Sequence, residues 1–124
     1  MNKKLAALST LSKIEIYHSL LKVRHFKSEK HYLSQELVNI KERMTLVSKV
    51  RKERFLYRNN IEHYNSLLEH LQTLQVSIYK QHDISCNRLQ EHQSKLLELI
   101  NRRKIIEKIK NNKYSKYQEI GTQG

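Results

Sequence analysis

Apolar residues recur along this chain at alternating steps of four and three. Phe26, Leu33, Leu37, Ile40, Met44 and Val47 follow that rhythm, which keeps one stripe on one face of a helix. Leu67, Leu71, Leu74 and Ile78 repeat it in the second half, and Leu89, Leu96, Leu99, Ile106 and Ile109 carry it on. Between Ile78 and Leu89 the stripe passes through polar residues, with His82 and either Ser85 or Cys86 at the seam positions. That eleven-residue step reads as a stutter, which locally unwinds a left-handed supercoil.

The pattern predicts an all-α fold, a long antiparallel two-helix coiled-coil hairpin. Asn59-Asn60 reads as the end of the first helix, because Asn tolerates the left-handed conformation of a C-cap. Ser66 with Glu69 reads as a capping box that opens the second. The expected boundaries are one domain over 1–124, with a first arm over about 3–58, a turn over about 59–66 and a second arm over about 67–120. Each arm would be roughly 80 Å long. Folding near residue 62 pairs positions whose numbers add to about 124. Ile40 then faces Ile84, Phe26 lies near Leu96–Ile100, and Ile16 near Ile106–Ile109. A single unbroken helix that dimerises is the alternative to a monomeric hairpin.

Composition strengthens the helical reading. The chain has no proline, and its two glycines, Gly121 and Gly124, stand in the last four of 124 residues, so turns and strand connections have little to be built from. With 38% hydrophobic residues, only a seam between helices can be buried. The lone Cys86 cannot form an internal disulfide. The opening Met1-Asn2-Lys3-Lys4-Leu5-Ala6-Ala7-Leu8 looks superficially like a signal peptide, but Ser9, Thr10, Ser12 and Lys13 interrupt its apolar run. It is expected to form the first turns of an amphipathic helix. No apolar run approaches the ~20 residues of a membrane span, and the protein reads as soluble and cytosolic.

The formal charge of +12 is unevenly spread. Residues 1–30 carry seven Lys/Arg against two acids, and residues 102–124 again seven against two, whereas residues 59–101 carry three against five. A hairpin would bring the two basic ends together, where like charges repel in the free protein and an acidic partner relieves the repulsion.

Candidate chemistry is sparse. His18 and His25, like His63 and His70, are seven apart, two turns rather than the single turn a shared ion needs, and Glu15/His18 is a solitary Glu-x-x-His. Cys86 has no basic sequence neighbour and is expected to fill the seam as a small side chain. With no internal glycine there is no phosphate-cradling loop. Neither catalysis, a cofactor nor a metal is expected. Lys49-Val50-Arg51-Lys52-Glu53-Arg54-Phe55-Leu56-Tyr57-Arg58 interleaves basic and aromatic residues. It could track a phosphate backbone, or simply be the polar face of a helix near its turn.

At the expected turn the chain reads Tyr57-Arg58-Asn59-Asn60-Ile61, followed by Leu71-Gln72-Thr73-Leu74. On two equal, proline-free arms with basic ends, this resembles the central-stalk family of type III secretion, which includes the YscO/EscO-type injectisome proteins and the flagellar FliJ protein. Flagellar members have a longer connection between the arms. The resemblance implies a non-enzymatic stalk, monomeric when free, whose terminal end enters the pore of the hexameric secretion ATPase and stimulates it. It implies ATPase contact through Lys13, Lys22, Arg24, Arg102, Arg103, Lys104 and Lys108. It implies contact with the cytosolic ring of the export gate through Tyr57, Leu71 and Leu74. The location would be the bacterial cytoplasm at the base of the apparatus, with no membrane insertion and no specific nucleic acid. A basic coiled-coil arm binding nucleic acid, or a generic coiled-coil scaffold, are the alternatives.

Overall fold

The computed structural model describes the backbone of residues 2–54 and 58–123, with side chains for 3–54 and 61–112. The fold is all-α, a hairpin of two long helices packed against each other, with no strand among the described residues. Helix α1 runs Asn2–Glu53 and α2 runs Arg58–Gln123. The last described bond of α1 is donated by the Arg54 amide to the Val50 carbonyl at 3.0 Å. Arg51 and Lys52 in its last turn complement the negative end of the helix dipole.

The break lies earlier than the sequence suggests. Asn59 and Asn60 are already in the first turn of α2, and Ser66 and Glu69 are in its interior. No described non-glycine residue has positive φ, so no asparagine acts there as a left-handed cap. Asn is favoured at the start of a helix as well as at its end, and the two roles look alike in sequence. The expected turn over 59–66 is therefore corrected: those residues are helical and belong to α2.

The chain divides into two compact units. In the unit formed by 26–88, Leu33, Ile40 and Ile78 form a buried cluster with the half-buried Leu37, Met44 and Leu71 against it. Two side-chain hydrogen bonds fix the register there: Ser34 Oγ to His82 Nε2 and Arg51 Nη1 to Asn65 Oδ1, both 3.0 Å. The residue numbers of each pair add to 116, not 124. Ile40 is 2% exposed against Ile78, whereas Ile84, its expected partner, is 49% exposed. Phe26 lies beneath the Arg88 guanidinium, 5.9 Å from its ring centroid, not beside Leu96–Ile100.

The seam of each helix keeps an unbroken four-three rhythm. In α1 it passes through Leu5, Ser9, Ser12, Ile16, Ser19, Val23, Phe26, Lys30, Leu33, Leu37, Ile40, Met44, Val47 and Arg51, all buried or half-buried. In α2 it passes through Ile61, Tyr64, Leu68, Leu71, Gln75, Ile78, His82, Ser85 and Leu89. The step from Ile78 to Leu89 is thus four, three and four, an ordinary heptad path through His82 and Ser85, and no stutter is needed. Leu67 and Leu74 were expected on this stripe, and Ile109 on its continuation, but all three are exposed.

Candidate functional site

The second unit, residues 1–25 with 89–124, holds the greater share of the charge. It carries thirteen Lys/Arg against five acids, compared with eleven against seven in the other. Its seam combines Val23, Leu89 and Leu99, which are buried, with three buried serines of α1, Ser9, Ser12 and Ser19. Serines let helices approach closely, but each hydroxyl must find a partner. Ser9 Oγ donates to Glu107 Oε1 at 2.5 Å. The Ser19 hydroxyl is buried without a hydrogen-bond partner.

Glu107 lies in the field of several basic residues. The Ser9 hydrogen bond is the largest cause holding its carboxyl below the usual value, partial burial opposes this, and the charges of Lys110, Arg103 and Lys13 add to the lowering. The charges of Lys13 from α1 and Arg103 from α2 therefore both act on one carboxylate. Ile16, Ile100, Arg103, Lys104, Glu107 and Lys108 line an open groove. This sets Ile16 opposite Ile100 rather than Ile106–Ile109.

The seven basic residues singled out from the sequence are all in this unit, but they are not equivalent. Lys13, Lys22, Arg24, Lys104 and Lys108 are exposed. Arg102 is exposed too, but pairs with Glu98 one turn back, N to O 3.1 Å. Arg103 is half-buried at a seam position. An exposed i, i+4 pair of this kind stabilises by about 0.3–0.5 kcal/mol, so Arg102 is easily released to a partner. Arg103 is the more committed to internal packing.

The expected gate-contacting residues separate. Leu71 is half-buried against the Leu33, Ile40 and Ile78 cluster, while Leu74 is exposed. Tyr57 lies outside the described residues. In the basic run before the break, Lys49, Lys52 and Arg54 are exposed, while Arg51 is engaged with Asn65.

Sequence reading missed the surroundings of Cys86. Its Sγ lies 3.7 Å from His82 Nδ1, while His82 Nε2 meets Ser34. The signal was the i, i+4 spacing of His82 and Cys86, which places them on one helix face although they are not sequence neighbours. Among the described residues, no three His, Cys, Asp or Glu side chains come together to hold a metal ion. No described helix is long and apolar enough to cross a membrane. Comparison of the chain with protein-family models, curated proteins and solved structures gives no match.

Proposed function

We propose that this chain is a non-enzymatic central stalk of a type III secretion system. It would bind the pore of the hexameric secretion ATPase, stimulate hydrolysis there, and link the ATPase to the cytosolic ring of the export gate. The observation that carries this reading is the basic unit itself. A hairpin whose paired terminal stretches hold thirteen Lys/Arg, five of the candidate seven being exposed and one more held only by a surface ion pair, suits an acidic, encircling partner. Opposite-sign surfaces speed encounter and fix register on such a partner. Leu74 and the residues near the break would supply the gate contact. Leu71 would contribute mainly by keeping that unit packed.

The test uses residues that take no part in internal pairing. Replacing Lys22, Lys104 and Lys108 by Glu in the full chain should leave helicity unchanged, since Glu is a good helix former. ATPase stimulation at sub-saturating stalk should fall tenfold or more, as losing about 1.4 kcal/mol of binding suffices for that. Arg102 and Arg103 are poorer choices, because Glu at those positions would face Glu98 and Glu107. Full stimulation by the triple variant would reject the reading. On this reading any nucleic-acid binding by Lys49, Lys52 and Arg54 should be weak, non-specific and steeply reduced by salt. Tight binding to DNA or RNA above physiological salt would favour that alternative.

A further inference from the structure

Within the basic unit, α1 also carries large apolar residues on the side away from α2. Its inward positions are Leu5, Ser9, Ser12, Ile16, Ser19 and Val23, half of them serine, while Leu8, Leu11, Ile14, Tyr17 and Leu21 are 42–60% exposed. Leu11, Ile14 and Leu21 form a continuous stripe, completed by His18 at the intervening position. A chain selected only to pack α1 on α2 would place the leucines inward and the serines outward. The stripe is therefore an unpartnered apolar surface about three turns long.

The charges around it indicate what covers it. At about 100° per residue, Lys4 and Lys22 fall along one margin and Lys13 and Arg24 along the other. All four are exposed, and Glu15 is the sole acid in residues 1–25. A second copy of the chain would set these cations against each other. A flat apolar stripe with lysine on both margins and a tyrosine at its edge has the chemistry of a helix lying in a membrane interface. There the leucines enter the acyl boundary while the lysine stems reach out to the headgroups. Anionic headgroups would also relieve the repulsion within the unit.

We infer that the outer face of α1 around Leu11, Ile14 and Leu21 docks on an anionic lipid surface, lying on the membrane without spanning it. This goes beyond the stalk reading: it shares the surplus of positive charge with it, but neither the ATPase nor the gate enters the argument.

The test is flotation of the full chain with lipid vesicles. Vesicles of phosphatidylcholine with about a third phosphatidylglycerol should carry the protein up the gradient, and pure phosphatidylcholine vesicles should carry at least tenfold less. Replacing Leu11, Ile14 and Leu21 together by Gln should lower binding to the anionic vesicles tenfold or more with helicity retained, because all three are exposed. The same change at Leu46 and Val76, equally exposed in the other unit, should leave it unaltered. No flotation with anionic vesicles overturns the inference. So does full binding by the triple variant, which would reduce the effect to charge alone, or an equal loss in the Leu46/Val76 control. If vesicles are not bound but the triple variant loses ATPase stimulation, the stripe belongs to a protein interface and the lipid assignment is wrong. Because flotation needs no ATPase, failure here and failure of the stalk reading are separately visible.

Discussion

Ser9 and Ser19 both sit on the α1 seam, and their hydroxyls meet opposite fates. Ser9 bonds Glu107, while Ser19 is buried with its oxygen unpaired. An unpaired buried hydroxyl costs about 1–3 kcal/mol unless water reaches it, and Ala is also the better helix former by about 0.5 kcal/mol. Ser19→Ala should therefore raise stability by about 1 kcal/mol in chemical denaturation; an unchanged or lower midpoint would show that the hydroxyl is satisfied. Ser9→Ala removes the largest cause of the lowered Glu107 pKa, so the carboxyl should titrate at higher pH, as carboxyl-carbon NMR would report. The sign of the linkage follows from the direction of the shift. A carboxyl depressed in the folded state contributes above its unfolded value, and the contribution is lost as pH falls through the folded value. The wild-type chain should hence keep this contribution until the pH falls through the lowered value of Glu107, and Ser9→Ala should flatten that part of the stability profile. None of this was legible in the sequence. A serine on a heptad position reads as an interruption of the stripe, and its partner 98 residues away depends on register.

At the level of the helices, the sequence conveyed which residues lie inward far better than which residues face one another. Phe26, Leu33, Leu37, Ile40, Met44 and Val47 are all seam residues, as their spacing implies. Pairing numbers that add to 124 fails by eight, close to one heptad. A slide of one heptad returns almost the same set of apolar positions to the interface, so the hydrophobic pattern scarcely distinguishes the two registers. The polar residues decide it, through Ser34 with His82 and Arg51 with Asn65. Leu67 and Leu74 misled for a related reason. Their seven-residue spacing is heptad-like, but it belongs to a neighbouring face, one residue away from Leu68 and Gln75 on the true seam. Two measurements separate the registers. Cysteines at Ser34 and His82, with Cys86 replaced by Ser, should form an intramolecular disulfide under mild oxidation, whereas cysteines at Ile40 and Ile84 should not. Ile40→Ala should cost about 2–5 kcal/mol, while Ile84→Ala should change stability by less than about 0.5 kcal/mol. Equal costs would restore the longer turn.

Charge belongs to the molecule as a whole, and it explains why a two-helix protein would be only marginally stable alone. A hairpin buries a seam rather than a core, so its stabilisation per residue is small. The basic unit sets that thin seam against a formal charge of +8, the other against +4. Glu107, on which the charges of Lys110, Arg103 and Lys13 act, and the Arg102–Glu98 pair offset part of this locally. Net like-charge repulsion remains, and salt screens it over a Debye length of about 10 Å at 0.1 M. Raising sodium chloride from about 0.05 to 0.5 M should therefore raise the thermal midpoint, whereas a protein held by surface ion pairs would lose stability. Lys104→Gln with Lys108→Gln should raise the midpoint at low salt and reduce its salt dependence, since both side chains are exposed and add to the crowding beside Arg103. A midpoint that falls with salt in the wild-type chain would mean that attractive pairs outweigh repulsion. The surplus of positive charge could then no longer be read as strain that an anionic partner relieves, and the electrostatic argument common to the ATPase and lipid proposals would fail with it.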